Sequence, residues 1–458
     1  MSLSRHFRDP VHGFIELEPT EVALVATPCF QRLRRIRQLA MAHLAFHGAS
    51  HTRFEHSLGV CHVAGRIASS LLPDKDEDGE LVRLAALLHD LGHGPFSHAF
   101  EGALAAVGST DMEAQGALHE QVTRTILRHD RDICPVLLSE RHRDKIIELL
   151  QPGPGGGLCG SIVTGPLDAD KMDYLLRDSY YCGVRYGLYD IDQLLRRLRS
   201  LEDAIAIDEE GVPALEQFVL ARYYLTKQVY RHKVRRISDE MLTRGILLGI
   251  EETRHPFLLD LMSYEDTPDY VATYLAADDG RLLWECTEGE AAGGTSQELF
   301  RRLRDRKLFK IAFDEPLREL AEEEQLTAQQ QETLSRICEP GSRKARDALE
   351  GALAERISEE LKTDIDRTSV IVHVYSFKGP WRREPDEGPV MVATTPPREF
   401  REISQLFRSV REGEDVIMLG VYCPLEYDSE TKRLQIRERL STGVRDVLRA
   451  VGESSHGH

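Results

Sequence analysis

The sequence predicts a mainly α-helical protein, with a helical core over residues 1–255 and a smaller α+β lobe over residues 256–458. Three observations lead there. Apolar residues recur at helical spacing through the first half, as at Phe54, Leu58, Cys61, Ala64, Ile67 and Leu71. Beyond residue 255 the texture changes, and the β-branched runs "SVIVHVYSF", "VMVAT" and "DVIMLGVYC" have the length and composition of strands. The length, 458 residues, also exceeds one compact core.

In chain order, the first thirty or so residues ("FRDPVHGFIELEP") read as an extended arm. "PCFQRLRRIRQLAMAHL" reads as an Arg-rich helix with one apolar face, and "HTRFEHSLGVCHVAGRIASSLL" as a second helix. Asp74–Glu80 reads as an acidic loop. "LVRLAALLHD" is apolar nearly all round, as a buried helix is, and Gly92, Gly94 and Pro95 stop it. "HEQVTRTILRH" and "ERHRDKIIELL" continue the helices, and Pro152–Gly157 is a loop. "LDADKMDYLLRDSYY" and the long "ALEQFVLARYYLTKQVYRHKVRRISDEMLTRGI" complete an all-helical core. In the second lobe "EGEAAGGTSQE" is a loop and residues 314–362 are charged and helix-prone.

Composition narrows the class of function. A formal net charge of −18 repels nucleic acid at long range, so any phosphate site must be local. No apolar run reaches the roughly 18 residues of a membrane span, and the charged N-terminus lacks a secretory apolar segment, so a cytoplasmic protein is expected. Eight scattered cysteines without a CxxC pair suggest neither a disulfide framework nor a zinc ribbon.

The chemistry concentrates where apolar helices meet polar breaks. His89 and Asp90 end the most apolar helix, where an unpaired carboxylate would be costly. A bound cation removes that cost, since imidazole and carboxylate are both ligands for divalent metals. A capped, ion-paired dipeptide is the plain alternative. His56, on an earlier helix, and Asp170, on a later one, complete two His and two Asp from three helices. Such a set suits an octahedral ion with water in its open positions.

The order His56, His89-Asp90, Asp170 resembles the HD-domain metal phosphohydrolases. The strings "FQRLRRIRQL", "GASHTRFEHSLGV", "HDLGHGPFSH" and "DADKMDYLLRD" resemble, more narrowly, the deoxynucleoside triphosphate triphosphohydrolases of that family, densely over residues 8–240 and more loosely beyond. The resemblance implies an HD-domain helical core and hydrolysis of a dNTP to deoxynucleoside and tripolyphosphate. It implies that His56, His89, Asp90 and Asp170 hold the metal (Mn, Mg or Fe, less typically Zn). It places His93 and His98 beside the phosphates, with Glu101 and His119 orienting them. His98 is the expected proton donor, a role for which an imidazole titrating near neutrality is suited.

Arg53 lies one helical turn before His56, and Lys171, Tyr174 and Asp178 share another helix face. By resemblance Arg53, Lys171, Tyr174 and Arg222 are phosphate ligands, Gln38 and Asp178 bind the sugar 3′-hydroxyl, and Tyr230 crowds the C2′ edge. Taken singly, Arg53 also reads as a surface ion pair, Gln38 as a solvated residue, and Tyr174 and Tyr230 as core aromatics. Gln31 and Arg34 match part of a separate nucleotide-activator site, although Ala26 stands where guanine-reading relatives have an acid. Thr226 likewise replaces a His that some relatives carry one turn before Tyr230. A homo-oligomer is implied, a tetramer above other sizes, with the C-terminal lobe in assembly or regulation. No membrane or nucleic-acid partner is expected. The metal quartet alone would also serve an HD phosphohydrolase acting on another nucleotide or on a nucleic-acid 3′ end. A sensor or scaffold whose metal only stabilises the fold is a third reading.

Overall fold

Residues 5–107, 118–137, 139–151, 156–324, 326–338, 343–377, 389–408, 416–427 and 429–451 are described by a computed structural model of the chain. The chain is mainly α-helical, with a helical core and a smaller sheet-containing C-terminal lobe. The extended arm is an antiparallel hairpin of β1 (Arg5–Asp9) and β2 (Gly13–Leu17). β3 (Leu198–Leu201) and β4 (Ala204–Ile207) form a second antiparallel pair, so the first lobe is not all-helical. β4 is joined in parallel by β7 (Met391–Val392), which pairs with β8 (Arg398–Glu399). In the second lobe β9 (Val416–Cys423) runs between β5 (Lys310–Pro316) and β6 (Ile371–Phe377), all antiparallel.

Two hydrophobic cores follow. The larger takes most of its side chains from Ile15 through Phe309, including Leu258, Leu261 and Tyr274 from helices beyond residue 255, and adds Ile371, Val392, Phe400, Phe407 and Tyr422. The smaller is built by β5, β6, β9 and the flanking helices, from Ala312 to Leu448. They meet at Arg236, whose guanidinium bonds Asp314 at 2.9 Å and the Tyr422 hydroxyl at 2.8 Å, and lies over the Tyr375 ring. Among the described residues no helix is long and apolar enough to cross a membrane.

Several elements depart from expectation for identifiable reasons. The Arg-rich stretch is α-helical only over Pro28–Arg32, with short 3-10 turns at Leu33–Arg35 and Ala42–Leu44. Between those turns the backbone bonds to distant partners: Arg37 N–H donates to Asp279, Gln38 N–H to the His51 carbonyl, and the Ile36 carbonyl accepts from Arg53. Those tertiary bonds replace the helix's own. The acidic segment is mostly helix, since Asp76, Glu77 and Asp78 open helix Asp76–Leu88, where negative charge favours the positive end of the dipole. Gly157 opens a short helix, and most of the predicted loop before it lies outside the described residues. Gly294 likewise opens a helix, inside the stretch read as a loop. The long final core helix is two, Val212–Leu225 and Lys233–Glu251, joined by a π-helical turn, Thr226–Tyr230, and restarted by His232 capping Val234 N–H. Such π turns gather at functional positions.

Candidate active site

Three helices converge on the predicted metal set. Helix Arg53–Leu71 is started by a reciprocal capping box between Thr52 and Glu55 and carries His56 in its first turn. Helix Ala169–Cys182 is capped by Asp168, which accepts from Lys171 N–H at 2.8 Å, and it carries Asp170. Helix Asp76–Leu88 ends at His89 and Asp90.

His56 Nε2 lies 2.9 Å from Asp170 Oδ1 and 3.7 Å from Asp90 Oδ2. His89 Nε2 lies 3.2 Å from Asp90 Oδ1 and 3.8 Å from Asp170 Oδ1. An octahedral ion with bonds of about 2.1 Å sets neighbouring ligands about 3 Å apart, so these separations fit one. Both Nε2 atoms are buried without a hydrogen-bond partner. Each ring is turned by its other nitrogen: His56 Nδ1 meets Asp173 at 2.8 Å and His89 Nδ1 meets the Ala86 carbonyl at 2.7 Å. The residues fit a divalent cation: ligand atoms of His56, His89 and Asp90 lie within 4.8 Å of one another, Asp170 stands beside both histidines, and the other nitrogen of each ring is bonded. Burial pushes the His56 pKa down, but the Asp170, Asp173 and Asp90 carboxylates outweigh it and hold it at about 10. Burial likewise pushes Asp90 up, and Arg53, His89 and His93 hold it well below the usual carboxylate range.

A second cluster adjoins the first. Glu101 accepts from His98 Nδ1 at 2.9 Å and from His119 Nδ1 at 2.6 Å. His93 Nε2 sits 3.2 Å from Asp90 Oδ1, and its ring stacks on His119 with centroids 4.0 Å apart. Burial and the Arg53 and His119 charges press His93 far below its ordinary value, so it is neutral. Glu101 raises His119 against the burial that lowers it. His98 is the exposed member, at 60%.

The turn joining the two clusters is clamped from behind. Arg32 donates to the His93 and Ala277 carbonyls, Tyr274 to the Gly92 carbonyl, and Asp279 accepts Phe96 N–H at 2.7 Å. The left-handed angles of this turn fall on Phe96 and Ser97, with φ of 59° and 52°. The glycines serve close packing against protein: a Cβ on Gly92 would stand 2.1 Å from the His119 carbonyl oxygen, and one on Gly94 2.8 Å from Phe100 and Tyr274.

The other predicted residues divide. Arg53 is buried, bonding Asp90 at 2.7 Å and Ser97 at 3.1 Å, so it is no surface pair. Lys171 reaches back to Asp168 and the Gly165 carbonyl. Tyr174 faces Tyr230 edge-on at 6.2 Å and feels the Arg222 and Lys171 charges. Asp178 accepts from Tyr230 OH at 2.6 Å and meets His51 Nε2 at 2.7 Å. Gln38 is buried, joined to His51 through its backbone, and its Oε1 has no partner. Sequence reasoning missed Asp173, His51 and Ser97. Asp173, three residues after Asp170 and four before Arg177, had a helix-face signal; His51 lay inside a quoted string without one.

An HD-domain profile matches residues 53–177, and a profile of the HD-associated region matches residues 189–441. The uncharacterized protein YwfO of Bacillus subtilis is 40% identical over 251 residues, 53% of this chain and 55% of that protein. Deoxynucleoside triphosphate triphosphohydrolase SAMHD1 of Homo sapiens is 32% identical over 276 residues, 52% of this chain and 44% of that protein. The chain thus spans about half the length of these curated relatives. A crystal structure of a hypothetical protein from Aquifex aeolicus superposes with a TM-score of 0.69 at 29% identity, covering 96% of this chain and all of that one. With the HD-associated region matched over more than half of the chain's length, the chain belongs to the HD-domain family that carries this region, the family its motifs resemble.

Proposed function

We propose that the chain is a metal-dependent hydrolase that converts a dNTP and water to a deoxynucleoside and tripolyphosphate. One observation carries this reading: the group of His56, His89 and Asp90, with Asp170 beside it, abuts through Asp90 and His93 an imidazole–carboxylate cluster whose exposed member is His98. A cation held by His56, His89, Asp90 and Asp170 would act as a Lewis acid toward phosphate oxygens and lower the pKa of water.

The chain's own residues do the rest. Water adds at the α-phosphorus while the bond to the sugar O5′ breaks. His98 gives a proton to that leaving oxygen, and Glu101 holds its ring through Nδ1, leaving Nε2 to face the substrate. His119 shares Glu101 and takes part of its charge. Arg53 keeps Asp90 ionised and oriented, and Lys171, Tyr174 and Arg222 gather the polyphosphate. Asp178, held by His51 and Tyr230, keeps further lone pairs for the sugar 3′-hydroxyl beside Gln38, while the Tyr230 ring excludes a 2′-hydroxyl. The SAMHD1 relatives support a dNTP as substrate.

Chromatography of products tests this. Each dNTP, alone and then all four together, is incubated with protein and Mn²⁺ or Mg²⁺. Deoxynucleoside with tripolyphosphate is expected, and release only from the mixture identifies an activator. A monophosphate with pyrophosphate, or no product in any mixture, contradicts the reading.

A further inference from the structure

The cluster beside the metal set has the donors of a second metal site. Ligand atoms of His93, His98, Glu101 and His119 all lie within 4.8 Å of one another. Glu101 is the centre: Oε2 is 2.9 Å from His98 Nδ1, and Oε1 is 2.6 Å from His119 Nδ1 and 3.6 Å from His93 Nδ1. A tetrahedral ion with bonds of about 2.0 Å holds its ligands about 3.3 Å apart, a value these distances bracket.

His93 gives the independent sign. Its Nε2 faces Asp90 Oδ1 at 3.2 Å and its Nδ1 faces Glu101 Oε1 at 3.6 Å. Nδ1 is buried without a hydrogen-bond partner, in a residue 1% exposed. A buried polar atom left unpaired costs free energy until a partner such as a cation enters.

We propose that His93, His98, Glu101 and His119 form a second cation site, suited to an imidazole-preferring divalent ion such as Zn²⁺ and distinct from the His56, His89, Asp90 and Asp170 set. Three imidazoles and one carboxylate favour Zn²⁺ over Mg²⁺, which takes oxygen ligands. His98, exposed at 60%, offers the entry path. His93 links the sites, with Nε2 on Asp90 and Nδ1 in the second set. Binding displaces the Nδ1 protons of His98 and His119 to solvent. On the proposed hydrolase reading, an ion there ties down the ring that must deliver the proton, so the doubly loaded protein is inhibited.

The test is equilibrium dialysis of the metal-stripped full-length chain against Zn²⁺, which reads binding without any substrate. Two equivalents per chain are expected. His98→Ala, at an exposed position that leaves the fold intact, weakens one equivalent by about tenfold or more, as does Glu101→Gln. Asp170→Asn weakens the other. A single equivalent in the parent overturns the proposal. So do two equivalents that His98→Ala and Glu101→Gln both leave unchanged. A protein that binds two Zn²⁺ but hydrolyses no dNTP sinks only the hydrolase reading.

Discussion

Asp173→Asn is the substitution whose consequences are most fully drawn by the structure. Asp173 is fully buried and accepts four bonds: from His12 Nε2 at 2.6 Å, His56 Nδ1 at 2.8 Å, and Arg177 Nε and Nη2 at 2.8 and 3.0 Å. Arg177 is equally buried and keeps one other carboxylate, Asp9, at 2.8 Å. Asparagine preserves the volume but removes a charge and presents an NH₂ to donors. Breaking a buried ion pair costs about 3–5 kcal/mol, and the surviving Asp9 contact sets the expectation at the low end, about 3 kcal/mol. His56 also loses the charge that orients it, so metal affinity falls by about 10–100-fold, as when other outer-shell partners of metal ligands are removed. Denaturant unfolding in chelator isolates the first effect, and Mn²⁺ titration of the folded variant the second. A variant within about 0.5 kcal/mol of the parent, the range of neutral surface changes, with unaltered metal affinity would refute the reasoning.

Three further outcomes are expected. Gly92→Ala puts a Cβ 2.1 Å from the His119 carbonyl oxygen and 2.4 Å from Thr123 N, backbone atoms that cannot swing aside; a loss of about 1–3 kcal/mol or more in thermal unfolding should accompany reduced turnover. Tyr230→Phe leaves Asp178 with His51 alone and should lower kcat/KM for a dNTP by about tenfold or more, the worth of a hydrogen bond to a charged group. Asp279 is pushed up to about 6 by burial, against the Phe96 and Arg37 N–H groups that pull it down. Its folded value exceeds its unfolded one, so its stabilisation is complete below pH 4 and is lost as pH rises through about 6. Asp279→Asn removes that dependence, and its unfolding free energy relative to the parent should gain about 2 kcal/mol between pH 4 and pH 7, from a shift of about two units, part of which falls below pH 4.

The expected ligands were legible as polar breaks in apolar helices, and the structure brings His56, His89 and Asp90 within 4.8 Å of one another, with Asp170 2.9 Å from His56 and 3.8 Å from His89. Their supports were not. The His56–Asp173 bond joins residues 117 apart, and His51–Asp178 residues 127 apart, so no local pattern announces either. Residues 33–44 read as helix by periodicity, yet Arg32, Arg37 and Gln38 are claimed by Ala277, Asp279 and His51, and tertiary bonds override local propensity. Asp76–Asp78 misled in the opposite sense: an acidic run suggests a loop, but the same charges suit a helix N-terminus. The glycines of the active-site turn are explained by close packing, whereas the strain sits on Phe96 and Ser97, where residue type gave no warning.

The central claim is attack by water at the α-phosphorus, with the nucleoside O5′ leaving and taking a proton from His98. Hydrolysis of one dNTP in heavy-oxygen water, with mass analysis of both products, tests it most directly. The account predicts one heavy oxygen in tripolyphosphate and none in the deoxynucleoside. Label in the nucleoside hydroxyl, or a labelled monophosphate accompanied by pyrophosphate, would contradict it.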